Sequence, residues 1–164
     1  MSDKSDLIEQ PRTRDDLLKL MLVAAAGRAG EVVYGNGANT STSGVSQDFD
    51  MLRELAREYV ESGMGNGTYT SRISTAGSER ERGNVTDQID IIADTALHTA
   101  LDLMHLIGQE KMASVVEDLG TTPRVLLGKE ASTYVRSAFN GDFAQLKGRL
   151  QTFLDTPMGE KLAA

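Results

Sequence analysis

The run "NVTDQIDIIADTALHTALDLMHLIGQEKMASVVEDL", from Asn84 to Leu119, constrains this chain most, because it contains no proline and repeats its aliphatic residues at helical spacing. At about 100° per residue, Ile89, Ile92, Ala96, Ala100, Leu103 and Ile107 share one side, while Asp87, Asp94, His98 and His105 fall nearly opposite. Asp90 and Asp102 flank the polar stripe. Asn84 or Thr86 is placed to cap the start, and Gly108 to bend or break the run. A helix this long must bury its apolar side against other elements, so the rest of the chain has to supply them.

The other segments are mainly helical in pattern. "RDDLLKLMLVAAAGRAGEVVY", from Arg14 to Tyr34, has acids at its start and an Ala-rich body, which predicts a buried helix over a short strand at Leu20 to Val23. Its small residues Ala25, Ala26, Ala29 and Gly30 let another backbone come close. A second helix starts near Ser46 or Asp48, projects Phe49, Leu52, Leu55, Ala56, Tyr59 and Val60 to one side, and ends at Gly63 and Gly65. After "GTTPR" the pattern gives two shorter helices, roughly Val125 to Phe139 and Asp142 to Leu154, divided by the turn signal "NGD". Strand signals are sparse. The expectation is an all-α helical bundle completed by oligomerisation: a flexible N-terminus at 1–13, then one helical domain at 14–164 with flexible segments near 35–47 and 63–84.

Charge narrows the function classes. Seventeen Lys and Arg against twenty-four Asp and Glu give a net charge of -7, which disfavours a nucleic-acid polymer because like charges repel. The chain has no cysteine, so thiolate metal sites, disulfides and a cysteine nucleophile drop out. "MSDKSDLIEQPRTRDD" lacks a signal-peptide apolar core, and "LMLVAAAG" is far short of a membrane span, so the reading is a soluble, cytoplasmic protein with no membrane partner.

The acids are spaced in pairs. Glu58 and Glu61 lie at i, i+3 in "EYVE", and Asp90 and Asp94 at i, i+4 in "DIIAD", so each pair can converge on one ion. Packed antiparallel, the two helices can offer four carboxylates. Such a cluster repels itself, and a hard divalent cation is its natural remedy: Mg²⁺ takes oxygen ligands and keeps waters that phosphate oxygens can replace. A metal so held can orient a phosphoryl group and activate water. The solvated faces of two amphipathic helices produce the same pattern with no ligand at all.

With these motifs in view, the chain resembles the all-α nucleoside triphosphate pyrophosphohydrolases, the MazG-like and phosphoribosyl-ATP pyrophosphohydrolase group. "MLRELAREYVES" looks like that group's E-x-x-E helix, and "VTDQIDIIADTALHTALDLMHLIG" like its second acidic helix. The likeness covers about residues 48–119. It implies Glu58, Glu61, Asp90 and Asp94 as Mg²⁺ ligands, Glu58 and Glu61 as catalytic residues, and Glu54 and Asp87 as supporting acids. The implied reaction cleaves a nucleotide substrate to monophosphate and pyrophosphate on a homo-oligomer. The chain departs from the group in its Gly-rich insert before Asn84, in Asp90 where relatives have glutamate, and in a tail after Gly120 with no matching motif. A competing register at "RAGEVV" places Arg28 where an acid is expected.

Arg72, Arg80 and Arg82 fall in the long loop and can close over a triphosphate, with Lys111 and Arg124 as weaker partners; loop arginines are more often simply solvated. His98 and His105 fit a surface role better than a zinc site, since a third imidazole is lacking. "GNGANTSTSG" lacks the Lys-Ser/Thr ending of a P-loop. The alternative function is a noncatalytic acidic helical interaction or structural protein, such as a small viral, phage or bacterial regulator, whose acidity serves partner binding.

Overall fold

In the computed structural model of the chain, residues 11–35, 45–65, 79–120 and 128–156 are described. They form six α-helices: α1 (Arg14–Tyr34), α2 (Val45–Tyr59), α3 (Glu79–Ile107), α4 (Gln109–Gly120), α5 (Lys129–Ala138) and α6 (Phe143–Asp155). A π-helical turn, Val60–Met64, extends α2, and no strand occurs among the described residues. The all-α expectation holds, and the Leu20 to Val23 stretch lies inside α1.

Helix α1 begins with a capping box. The Thr13 hydroxyl accepts the Asp16 N–H at 3.2 Å, and the Asp16 carboxylate accepts the Thr13 N–H at 3.0 Å. These bonds satisfy donors that a helix start leaves unpaired. Leu17, Leu18, Met21, Leu22, Ala24, Ala25 and Ala29 are buried, and α1 packs against both α2 and α3. The small residues matter here: a Cβ on Gly27 would lie 2.5 Å from the Asp48 carboxylate on α2, so a larger residue would have to turn that side chain aside.

The other two helices complete the core. α2 contributes Leu52, Leu55, Ala56 and Tyr59, followed by Val60 in the π turn, and α3 contributes Val85, Ile89, Ile92, Ala93, Ala96 and Ala100. Each large aliphatic buried in this way stabilises the fold by roughly 1.5–3 kcal/mol. α6 adds Phe153 and Leu154 to the same cluster. Arg14 holds that end of the chain in place by donating to the Leu154 carbonyl (2.6 Å) and the Thr156 carbonyl (3.1 Å), acceptors that the end of α6 leaves open.

Two expected boundaries move, and the break expected at Gly108 is present. α3 starts at Glu79, not Asn84, so residues 79–84 of the expected loop are helical, and the Thr86 hydroxyl donates back to the Arg82 carbonyl at 3.0 Å as an interior residue does. Val85, the residue that follows this extra turn, is buried in the core. The long run breaks at Gly108, whose φ of +80° is left-handed backbone that favours glycine. Gly108 N–H and the Tyr34 hydroxyl both donate to the Met104 carbonyl, at 3.1 and 2.7 Å, and together they fasten the end of α3 to the end of α1. α5 spans Lys129–Ala138, within the longer stretch expected from Val125 to Phe139; residues 121–127 lie outside the described residues, as do 36–44 and 66–78 of the expected flexible segments.

Helices α4 and α5 bury no residue at all. They are tied down by polar contacts instead: Lys111 Nζ donates to Asp142 at 2.6 Å, and the Arg136 guanidinium lies 5.6 Å from the centre of the Phe143 ring. No helix among the described residues is long and apolar enough to cross a membrane.

Candidate carboxylate site

Helix α2 carries the first acidic pair and stands between α1 and α3. Its buried seam faces both neighbours, so its charged residues emerge on two flanks. On the α1 flank, Glu54, Glu58 and Glu61 line an open groove of about 530 Å³ with Arg12 and Arg57 over an apolar floor. On the α3 flank, Arg53 meets Asp90 and Asp94 in a smaller groove of about 140 Å³ floored by Phe49, Leu52, Ala93 and Leu97. The two grooves share no residue.

Each pair already has a counter-charge. Arg12 Nη1 lies 2.9 Å from Glu58, and Arg53 Nη2 lies 2.9 Å from Asp90. Asp94 faces His98 at 3.5 Å, with both side chains about two-thirds exposed. Glu54 pairs with Arg57 at 3.4 Å. Among the described residues, no three His, Cys, Asp or Glu side chains come together in a way that could hold a metal ion. Glu58, Glu61, Asp90 and Asp94 are therefore not gathered around one centre among the described residues. The acids occupy two grooves, and two of the four are neutralised by guanidinium groups that a cation would have to displace.

The basic candidates are scattered too. Arg80 and Arg82 are exposed on the first turns of α3, not on a loop, and Arg72 lies outside the described residues. Lys111 is on α4, engaged by Asp142 and remote in sequence from either acid pair. Glu54 and Asp87 are both exposed, as are His98 and His105.

Two residues missing from the sequence reading decide this site: Arg12 and Arg53. Neither pairing is a local property: Arg12 meets Glu58 from 46 residues away, and Arg53 meets Asp90 on another helix. One polar group has no such compensation. The Tyr59 hydroxyl is fully buried and has no hydrogen-bond partner among the described residues, a cost the apolar contacts of its ring offset.

Comparison with protein-family profiles, with curated protein sequences and with solved structures found no match for this chain. The likeness to the pyrophosphohydrolases accordingly rests on its two short acidic motifs alone.

Proposed function

We propose that this chain is a noncatalytic, acidic helical interaction protein. One observation carries the reading: the two acidic pairs sit in separate grooves on opposite flanks of α2, with Glu58 and Asp90 each held by its own arginine at 2.9 Å. Carboxylates that bind a catalytic metal have to share one centre, whereas ion-paired acids on separate helix flanks serve solubility and recognition. Exposed Leu20, Val23 and Met51 on the α1 and α2 surface also suit a binding role.

The second reading is the Mg²⁺-dependent nucleotide pyrophosphohydrolase. It is favoured by one feature, the three glutamates that line the α1 flank of α2 beside two arginines. It needs acids from a second copy to complete a metal site, since the chain's own Asp90 and Asp94 face the other groove.

A panel of nucleoside triphosphates with Mg²⁺, monitored for monophosphate and pyrophosphate release, separates the two. The interaction reading expects no release above the uncatalysed rate from the wild type. Turnover abolished by Glu61→Gln would overturn it in favour of the hydrolase.

A further inference from the structure

The groove between α1 and α2 joins an apolar floor to an acidic rim. Leu20, Met51 and Leu55 form the floor; Leu20 is 39% and Met51 59% exposed, with Val23, 71% exposed, one turn along α1 from Leu20. Large aliphatics left open to water on adjacent helices are the raw material of a binding surface, and methionine adapts its shape to what it meets. The rim sets three carboxylates, Glu54, Glu58 and Glu61, against two guanidinium groups, Arg12 and Arg57. Arg12 is taken by Glu58 and Arg57 by Glu54, which leaves Glu61 half-buried at the edge of the floor with no ion-pair partner among the described residues.

We infer that this groove receives an amphipathic helix from a partner protein, one that presents aliphatic residues at i, i+3, i+4 and i+7 and a lysine or arginine beside them. The aliphatics cover Leu20, Met51 and Leu55, and the cation meets Glu61. Charge selects this occupant. A partly desolvated, unpaired carboxylate rewards a cation, and the net charge of -7 draws basic segments while it repels acidic ones, a second copy of this chain among them. An apolar helix laid in a groove is a recurrent mode of recognition, and a volume of about 530 Å³ admits several large side chains. The inference deepens the interaction reading, which loses nothing if the partner binds elsewhere; only nucleotide turnover removes that reading.

The test uses the full chain and two synthetic peptides of about four helical turns, one built from Leu and Lys as an amphipathic helix, the other identical with Glu for Lys. Binding is read by fluorescence anisotropy at low and high salt. The Leu/Lys peptide is expected to bind and to weaken as salt rises, and the Leu/Glu peptide to bind at least tenfold more weakly. Met51→Asp and Glu61→Lys, each verified as folded by circular dichroism, should weaken the Leu/Lys peptide about tenfold. The charge-matched control Asp102→Lys, on α3, should leave it unchanged. Equal binding of both peptides, no binding of either, or equal losses in Asp102→Lys and Glu61→Lys would overturn the proposal. So would a wild-type dimer in light scattering that Met51→Asp converts to monomer, since a second copy would then be the occupant.

Discussion

Helices α4 and α5 divide apolar from polar residues more sharply along their sequence than α1 and α3 do, yet α1, α2 and α3 and the pair α4 and α5 reach opposite ends of the packing scale. The first three bury Leu18, Met21, Ala56, Tyr59, Ile92 and Ala96 with essentially no exposure, whereas α4 and α5 bury nothing. The difference lies in size as well as pattern. α1 brings Ala24, Ala25 and Ala29 and α3 brings Ala96 and Ala100 into one core, small residues that let backbones approach. α4 and α5 offer short stripes, such as Met112, Val115 and Leu119, which the described residues cover only in part. An apolar stripe becomes a core only when a partner of matching shape lies across it.

Mutations can break this contrast, beginning with the largest effect. Ile92→Ala should destabilise the chain by about 2–5 kcal/mol in urea unfolding, because the surrounding helices cannot collapse into the gap. A loss no greater than that of an exposed valine would mean the three-helix seam is not the core. Gly108→Ala comes next, at about 1–2 kcal/mol, since a Cβ is strained at its φ of +80°. Circular dichroism should show no gain in helix unless α3 and α4 straighten into one, an outcome that would show the break is not fixed by the core.

The smaller effects sharpen the boundary between the two regions. Tyr34→Phe removes the hydroxyl that bonds the Met104 carbonyl and should cost about 1 kcal/mol, with faster amide hydrogen exchange at the end of α3 and in α4 but not in the middle of α2. Burial raises the Tyr34 pKa above its ordinary 10.0, so the hydroxyl keeps its donated proton further into the alkaline range. Val116→Ser, at a side chain 62% exposed, should change stability by no more than about 0.5 kcal/mol. A larger loss would reveal a contact that α4 makes beyond the described residues.

The weakest effect is a pH dependence at the start of α1. The Thr13 hydroxyl bond, aided by the Thr13 backbone N–H, lowers the Asp16 pKa below its ordinary 3.8. A carboxyl whose folded pKa is depressed contributes stability above its unfolded pKa and loses it as pH falls through the folded one. Unfolding followed below neutral pH should therefore show a small acid-side loss that Thr13→Ala diminishes. An unchanged profile in that variant would place the acid sensitivity elsewhere.

Much of the fold is legible in the residues. The Arg14–Tyr34 helix follows from its acids and its alanines, and the α3 core face follows from the spacing of Ile89, Ile92, Ala96 and Ala100, because helical periodicity is a local property. Gly108 marked the one place where the long run could end, since few other residues accept its backbone angle. The start of α3 was less legible: "GSERERGN" carries loop-forming glycines, yet the helix begins at Glu79, ahead of the buried Val85.

The acids themselves, their pairing along each helix and the net charge of -7 are fixed by the sequence. Where those acids point relative to one another is not, because it depends on how α2 is rotated between α1 and α3. That rotation is set by the burial of Leu52, Ala56 and Tyr59, and it turns Glu58 and Glu61 toward Arg12 while Asp90 meets Arg53 on the other flank. Periodicity defines a face, but only packing decides what the face looks at. The stripe of Glu54, Glu58 and Glu61 lines a groove with Arg12 because α2 is packed that way round.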